Sequence, residues 1–224
     1  MNAPEARLDL QRRQRLGMVE AVWGEHKSAD QIAAILQTMN HAGELALVTR
    51  VDPLKAAEVQ DRCPAVQVHA AAACLTLGDL PAADGEPLVA VLSGGTSDRR
   101  VAEEAALALR VHGISSASFL DVGVAGLHRL LAVLPDLEAM PVLIACAGME
   151  GALPTVLAGL VPQPVIGVPV SVGYGVSAGG RAALDGMLAS CAPGLSVVNI
   201  DNGYGAAMAA LRILKSSSFE DSRL

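Results

Sequence analysis

The stretch LVAVLSGGTSDRRVAEEAALALRVHG, residues 88–113, decides the fold. It opens on five apolar residues without alternation, the pattern of a strand buried on both faces. A glycine pair and three small polar residues then turn the chain, and SDRRVAEEAALALRVHG carries a helical period closed by Gly113. Strand, glycine turn and helix make the first half of a βαβ unit.

The same pattern recurs to the end of the chain. SASFLDVG precedes AGLHRLLAVL, PVLIACAG precedes MEGALPTVLAGL, PVIGVPVS precedes SAGGRAALDGMLAS, and LSVVNIDNG precedes YGAAMAALRILK. Five strand-helix pairs with short connections and right-handed crossovers predict an α/β fold, a flavodoxin-like doubly wound parallel sheet of order 2-1-3-4-5. Composition agrees: 52% of the residues are hydrophobic but only 2% are aromatic, so the core is layered from Ala, Val, Leu, Ile and Gly.

Upstream, SADQIAAILQTMNHAG starts a helix at Ser28, with Gln31 completing a capping box, and ends it at Gly43. ELALVTRV reads as a strand, DPLKAAEVQ as a helix capped by Asp52 with Pro53 in its first turn, and AVQVHA as a short strand. LGDLPAADGEP marks a linker around residues 77–87. The expected organisation is a small N-terminal α/β domain at 1–80, a catalytic domain at 87–215 and a flexible polar tail at 216–224.

A net charge of −7 argues against a nucleic-acid partner, which needs a clustered basic face. Arg12, Arg13 and Arg15 form the one basic concentration, either a solvated helix face or contacts to an anionic ligand. No signal-peptide core follows them, and Glu5 and Asp9 lie in the same stretch. Residues 140–176 are apolar, but Glu150 and repeated Pro and Gly interrupt any membrane span. A cytoplasmic protein without a membrane partner is expected.

Cys63, Cys74, Cys146 and Cys191 have no CxxC spacing and no histidines at metal-finger intervals. The first three read as small buried hydrophobes. Cys191, in MLASCAPGLSVV between a helix and a strand, stays open between core residue, redox partner, ligand and nucleophile.

In a doubly wound sheet, ligands gather at the carboxyl ends of the strands. The loops there are SGGTSD, DVGVAG, AGMEGALP, SVGYGVSAGG and DNGYG, all rich in glycine and short polar groups. SGGTSD offers the hydroxyls of Ser93, Thr96 and Ser97 and the amides of Gly94 and Gly95 ahead of a helix, which suits a phosphate. It is neither a Walker loop nor a GxGxxG turn. Ser97 and Asp98 fit helix capping as well as ligand binding. Glu150 could profit from a helix dipole or, if buried, act in proton transfer. His128 and Arg129 lie one turn into a helix, and Asp201 and Asn202 fit a turn or a ribose contact.

VAVLSGGTSD, the HR of AGLHR, AGMEGALP and QPVIGVPV resemble, in order and spacing, the elements of the PurE family of aminoimidazole ribonucleotide carboxylases and mutases. PurE has serine-alanine-histidine-arginine where this chain has DVGVAGLHR, and a histidine where this chain has Ala152. RLGMVEAVWGEHKSADQI, LVTR, SGGTSD, DVGVAGLHR, GMEGALP, PVSVGYG, SCAPGL and VVNIDNGYGAA together resemble the LarB family, whose carboxyl-terminal half is itself PurE-like.

That resemblance implies a reaction: carboxylation of the pyridinium ring of nicotinic acid adenine dinucleotide with CO2 or bicarbonate, and hydrolysis of its phosphoanhydride. The products are pyridinium-3,5-biscarboxylic acid mononucleotide and AMP, the first step toward the nickel-pincer cofactor of lactate racemase. The alternatives are a PurE-type reaction on aminoimidazole ribonucleotide and a non-catalytic nucleotide-binding module.

An electron-poor ring does not attack CO2 unaided, so a thiolate must first add to it, and the matching residue is Cys191. Glu150 is the expected base, and Ser97 and Asp98 would hold the ribose phosphate or assist proton steps. The remaining substrate-binding expectations are Ser93, Gly94, Gly95, Thr96, Asp121, Gly123, His128, Arg129, Gly148, Met149, Ser171, Gly173, Tyr174, Asp201 and Asn202. Mg2+ would assist the hydrolysis, although no ligand cluster for it is legible, and no tightly bound organic cofactor is expected. Topology sets Cys191 at the amino end of its strand, away from the pocket edge. The resemblance implies octamers with sites near subunit interfaces, so the loop either folds back or serves a neighbouring subunit.

Overall fold

The computed structural model describes residues 7–221, with side chains through residue 216. Glu5 and residues 222–224 lie outside the described residues. The chain divides into two compact units, residues 1–82 with 111–113, and residues 83–110 with 114–224.

The amino-terminal unit begins with a short helix α1 (Arg12–Leu16) and holds a mixed sheet. Its strands are β1 (Ala21–Trp23), β2 (Ala46–Thr49), β3 (Gln67–His69) and β4 (Cys74–Leu77), in the order β1-β2-β4-β3. β1 and β2 run parallel; β4 is antiparallel to both its neighbours. Helix α2 (Ala29–His41) starts in the expected capping box: Ser28 Oγ accepts the Gln31 amide and Gln31 Oε1 accepts the Ser28 amide. Helix α3 (Pro53–Arg62) is capped by Asp52, which accepts the Lys55 amide at 2.9 Å. Ile32, Leu36 and Met39 of α2 pack with Val48, Val59 and Leu75 as the core. β1 and β4 were not anticipated from the sequence.

The carboxyl-terminal unit has the predicted doubly wound topology. Strands β5 (Val89–Ser93), β6 (Ser116–Phe119), β7 (Val142–Ala147), β8 (Val165–Pro169) and β9 (Ser196–Val197) are all parallel, in the order β6-β5-β7-β8-β9. Numbered within the unit, this is 2-1-3-4-5. Helices α4 (Arg99–Val111), α5 (Leu127–Leu137), α6 (Ala152–Ala158), α7 (Arg181–Leu188) and α8 (Gly203–Asp221) complete the repeats. Every residue of β5, β7 and β8 is buried, which is why these strands read as unbroken apolar runs.

Two boundaries differ from the sequence reading. The run LSVVNI pairs over only Ser196 and Val197, because the chain then leaves the ladder, holding β8 through isolated bonds from the Val198 and Asp201 amides. Residues 216–221, expected in a flexible tail, continue α8. Among the described residues, no helix is long and apolar enough to cross a membrane.

Tight loop packing follows the glycines. A Cβ on Gly123 would stand 2.3 Å from the Gly94 carbonyl oxygen, although the Gly123 backbone itself is unstrained. Gly123→Ala is therefore expected to cost about 1–3 kcal/mol by overpacking, read as a melting temperature lowered by several degrees.

Candidate functional site

A cavity of about 420 Å³ opens at the carboxyl ends of β5, β7 and β8, beside the switch point where β5 lies between β6 and β7. The first loop lines it with Gly94, Gly95, Ser97 and Asp98, and the second with Gly123, Val124, Ala125 and Arg129. The third contributes Ala147 to Glu150, Ala152 and Leu153, and the fourth Val172, Gly173 and Tyr174. The fifth loop is not part of the lining.

Asp98 ties these loops together. A 3-10 turn at Thr96–Asp98 directs its carboxylate inward, where Oδ2 accepts the Gly95 amide at 2.8 Å and Oδ1 accepts the Gly148 amide at 3.1 Å. The first bond caps the turn; the second crosses to the loop after β7. Asp98 is 7% exposed, and burial pushes its pKa above the ordinary carboxylate range. The two amides pull it back down, while the nearby Asp201 charge adds to the rise. A Cβ on Gly148 would come 3.1 Å from Asp98 Oδ1 and 2.2 Å from the Val172 carbonyl oxygen, so only glycine admits this approach.

Arg129, on the first turn of α5, pairs with Asp121 at 2.6 Å and reaches the cleft. Asp121 itself has a left-handed backbone with φ of 60°, and its amide donates to the buried Ser93 Oγ at 3.2 Å. Ser93 and Asp121 thus brace the lining without belonging to it. His128 points away, exposed on α5, and Thr96 is exposed outside the lining. Ser97 is exposed at the edge of the cleft.

Glu150 corrects one branch of the sequence reading: it is exposed, not buried among glycines and alanines. Met149 and Gly151 both have left-handed backbones, φ 52° and 68°, and this turn swings residue 150 to the cleft rim before α6 begins. The helix start at Gly151 receives no side-chain cap, so Glu150 does not serve as one.

Ser171, Asp201 and Asn202 have structural employment outside the lining. Asp201 Oδ1 accepts the Ser171 amide at 2.8 Å and Oδ2 pairs with Arg100 at 3.5 Å. Asn202 Oδ1 accepts the Gly205 amide at 2.8 Å at the start of α8. Cys191 is exposed in the loop between α7 and β9, at the amino end of β9 and outside the cleft. Cys63, Cys74 and Cys146 are buried, and burial pushes the Cys146 thiol pKa strongly upward. The sequence reading did not place Val124, Ala125, Ala147, Ala152, Leu153 and Val172 in the site, and with Met149 they supply the apolar part of the lining. Each is embedded in a loop already singled out, and that adjacency was the available signal.

Among the described residues, no group of three or more His, Cys, Asp or Glu side chains is arranged to hold a metal ion. The Asp98 carboxylate, the best-placed acid, already accepts two amides.

Comparison with known proteins agrees with this architecture. Residues 2–79 match the model of the LarB/PurE-like N-terminal domain, and residues 88–222 match that of AIR carboxylase. An uncharacterized protein of Methanocaldococcus jannaschii is 37% identical over 219 residues, covering 93% of this chain and 84% of its own length. The N5-carboxyaminoimidazole ribonucleotide mutase of the same organism is 34% identical over 57% of this chain and 78% of its own length. The mutase of Mycobacterium leprae is 33% identical over 60% and 79%. The carboxyl-terminal domain is thus of the carboxylase and mutase type, which points to a nucleotide substrate and CO2. With both domain models matched in order along nearly its whole length, the chain belongs to the LarB family, with a PurE-like AIR carboxylase domain as its carboxyl-terminal part.

Proposed function

We propose that this chain carboxylates the pyridinium ring of nicotinic acid adenine dinucleotide and hydrolyses its phosphoanhydride, releasing pyridinium-3,5-biscarboxylic acid mononucleotide and AMP for nickel-pincer cofactor synthesis. The observation that carries this reading, over a PurE-type reaction, is the cleft lining. Ala152 stands where PurE has histidine, and the ionisable side chains of the lining are Asp98, Arg129, Glu150 and Tyr174. No histidine of the lining can shuttle a proton for aminoimidazole chemistry.

In the proposed sequence, the Cys191 thiolate adds to the ring, cancelling its positive charge and leaving an enamine-like carbon. That carbon attacks CO2 and forms the new C–C bond. Glu150, exposed at the rim, takes the proton from the new sp³ carbon, and expulsion of the thiolate restores aromaticity. Arg129 on the cleft wall and the Ser97 hydroxyl at its edge hold the phosphate groups. Water then cleaves the anhydride. The described residues offer no ready cage for Mg2+, and no step is assigned to it.

Because Cys191 lies at the amino end of β9 and the cleft at the opposite edge of the sheet, the proposed site is shared: the thiol of one subunit serves the cleft of its neighbour. The reading is tested by offering the protein labelled bicarbonate with either nicotinic acid adenine dinucleotide or aminoimidazole ribonucleotide. Label is expected in the pyridinium product alone; label in the imidazole alone would reject the proposal in favour of PurE-type chemistry.

A further inference from the structure

The loop after β8, SVGYGVSAGG at residues 171–180, is tied down at its base and open at its tip. The Gly179 amide donates to the Ser171 carbonyl at 3.2 Å, and Asp201 Oδ1 accepts the Ser171 amide at 2.8 Å. The Met149 amide donates to the Val172 carbonyl at 3.2 Å, joining this loop to the one after β7. A Cβ on Gly173 would stand 2.4 Å from the Ser177 carbonyl oxygen, and one on Gly180 would stand 2.9 Å from Ile200 Cγ2. At Gly175, between them, a Cβ would meet nothing within 4 Å.

Tyr174 stands at that tip. It is 78% exposed, yet it lines the cleft, and among the described residues its hydroxyl has no hydrogen-bond partner. A ring so exposed adds little to the stability of the fold. Met149 and Val172, both also exposed, flank the same mouth, and Glu150 lies in the same lining. The order of the strands divides the cleft accordingly. The loops after β6 and β5 bring Arg129 and Ser97, whereas those after β7 and β8 bring the exposed apolar and aromatic side chains together with Glu150.

We propose that Tyr174 is the face on which the pyridinium ring stacks, so that the substrate lies across the cleft with its phosphates on the β6 and β5 side and its ring on the β7 and β8 side. This rests on the pyridinium substrate proposed above and assigns each end of it to a place. A cationic ring is drawn to the negative face of a phenol, and an aromatic side chain with two torsions loses little entropy when it stacks. The ring then lies on the side of the cleft that holds Glu150, which takes its proton. A thiol that arrives from a neighbouring subunit needs a ring at the mouth with one face open, and Tyr174 covers the other. Once the thiolate has added, the ring is neutral and the attraction fades. Tyr174 therefore acts in binding the charged ring and not in the chemical step.

The test is steady-state AMP release from nicotinic acid adenine dinucleotide by the intact assembled protein. Tyr174→Leu keeps apolar bulk but removes the aromatic face, and it is expected to raise KM about tenfold without lowering kcat. Tyr174→Phe keeps the face and is expected to stay within about threefold of the wild-type KM. Inhibition by the ring-reduced dinucleotide, whose dihydropyridine carries no charge, should weaken less than threefold in Tyr174→Leu. An unchanged KM in Tyr174→Leu, a Tyr174→Phe protein as impaired as Tyr174→Leu, or equal weakening toward the charged and the reduced ring would each overturn the inference. With wild-type turnover intact, any of these results leaves the cleft reaction standing. A wild-type protein that releases no AMP rejects the cleft reaction, and this inference with it.

Discussion

Replacing Cys191 by serine is expected to lower incorporation of labelled bicarbonate into nicotinic acid adenine dinucleotide by roughly a thousandfold or more, the scale of losing a covalent nucleophile. Serine keeps the size of the side chain but is a far weaker nucleophile near neutral pH, so the ring keeps its positive charge and cannot attack CO2. Cys191 is exposed, and its replacement removes no core contact, so the melting temperature should not move. Substrate binding, measured by isothermal titration, should also persist, because the phosphate-holding loops are untouched. Label incorporation at the wild-type rate would exclude the thiol from the chemistry.

The second large effect concerns where the thiol works. Asp98→Asn replaces an acceptor oxygen with an amide donor, so it must lose the Gly95 or the Gly148 hydrogen bond and loosen two loops of the cleft. Alone, Cys191→Ser and Asp98→Asn proteins are both expected to be nearly inactive. When the two chains are co-assembled in equal amounts, a shared site pairs an intact thiol with an intact cleft at about a quarter of positions, so activity returns to about that fraction of wild type. A site built within one chain would give no recovery. The recovered fraction is measured as AMP release per subunit after co-expression and purification of the mixed oligomer.

How far the sequence reached depends on which contacts each residue makes. The doubly wound unit was legible because β5, β7 and β8 are buried on both faces and end in glycine turns, a pattern that survives without any knowledge of partners. β1 and β4 were not read as strands, although β2 and β3, equally short, were. LSVVNI has the composition of a longer strand, but a run on the sheet edge can leave the ladder after two pairs and remain apolar.

The cleft was legible to the level of loops and not of side chains. SGGTSD could cap a helix or bind a ligand, and spacing could not choose. The carboxylate of Asp98 caps its own turn and also takes an amide 50 residues away, a tertiary bond invisible to local pattern. In HR, one residue of an adjacent pair reaches the cleft and the other faces out; helical phase decides this, and the phase depends on where α5 begins. The sequence left Glu150 open between a helix-dipole position and burial, and the left-handed backbones at Met149 and Gly151 turn it outward. Backbone conformation of that kind at a methionine carries no signature in composition.

The central claim is tested most directly by incubating the assembled protein with nicotinic acid adenine dinucleotide and labelled bicarbonate and following both products together. The account predicts one labelled dicarboxylated mononucleotide for each AMP released. Absence of both products from correctly assembled protein, or AMP release without any labelled mononucleotide, would contradict it.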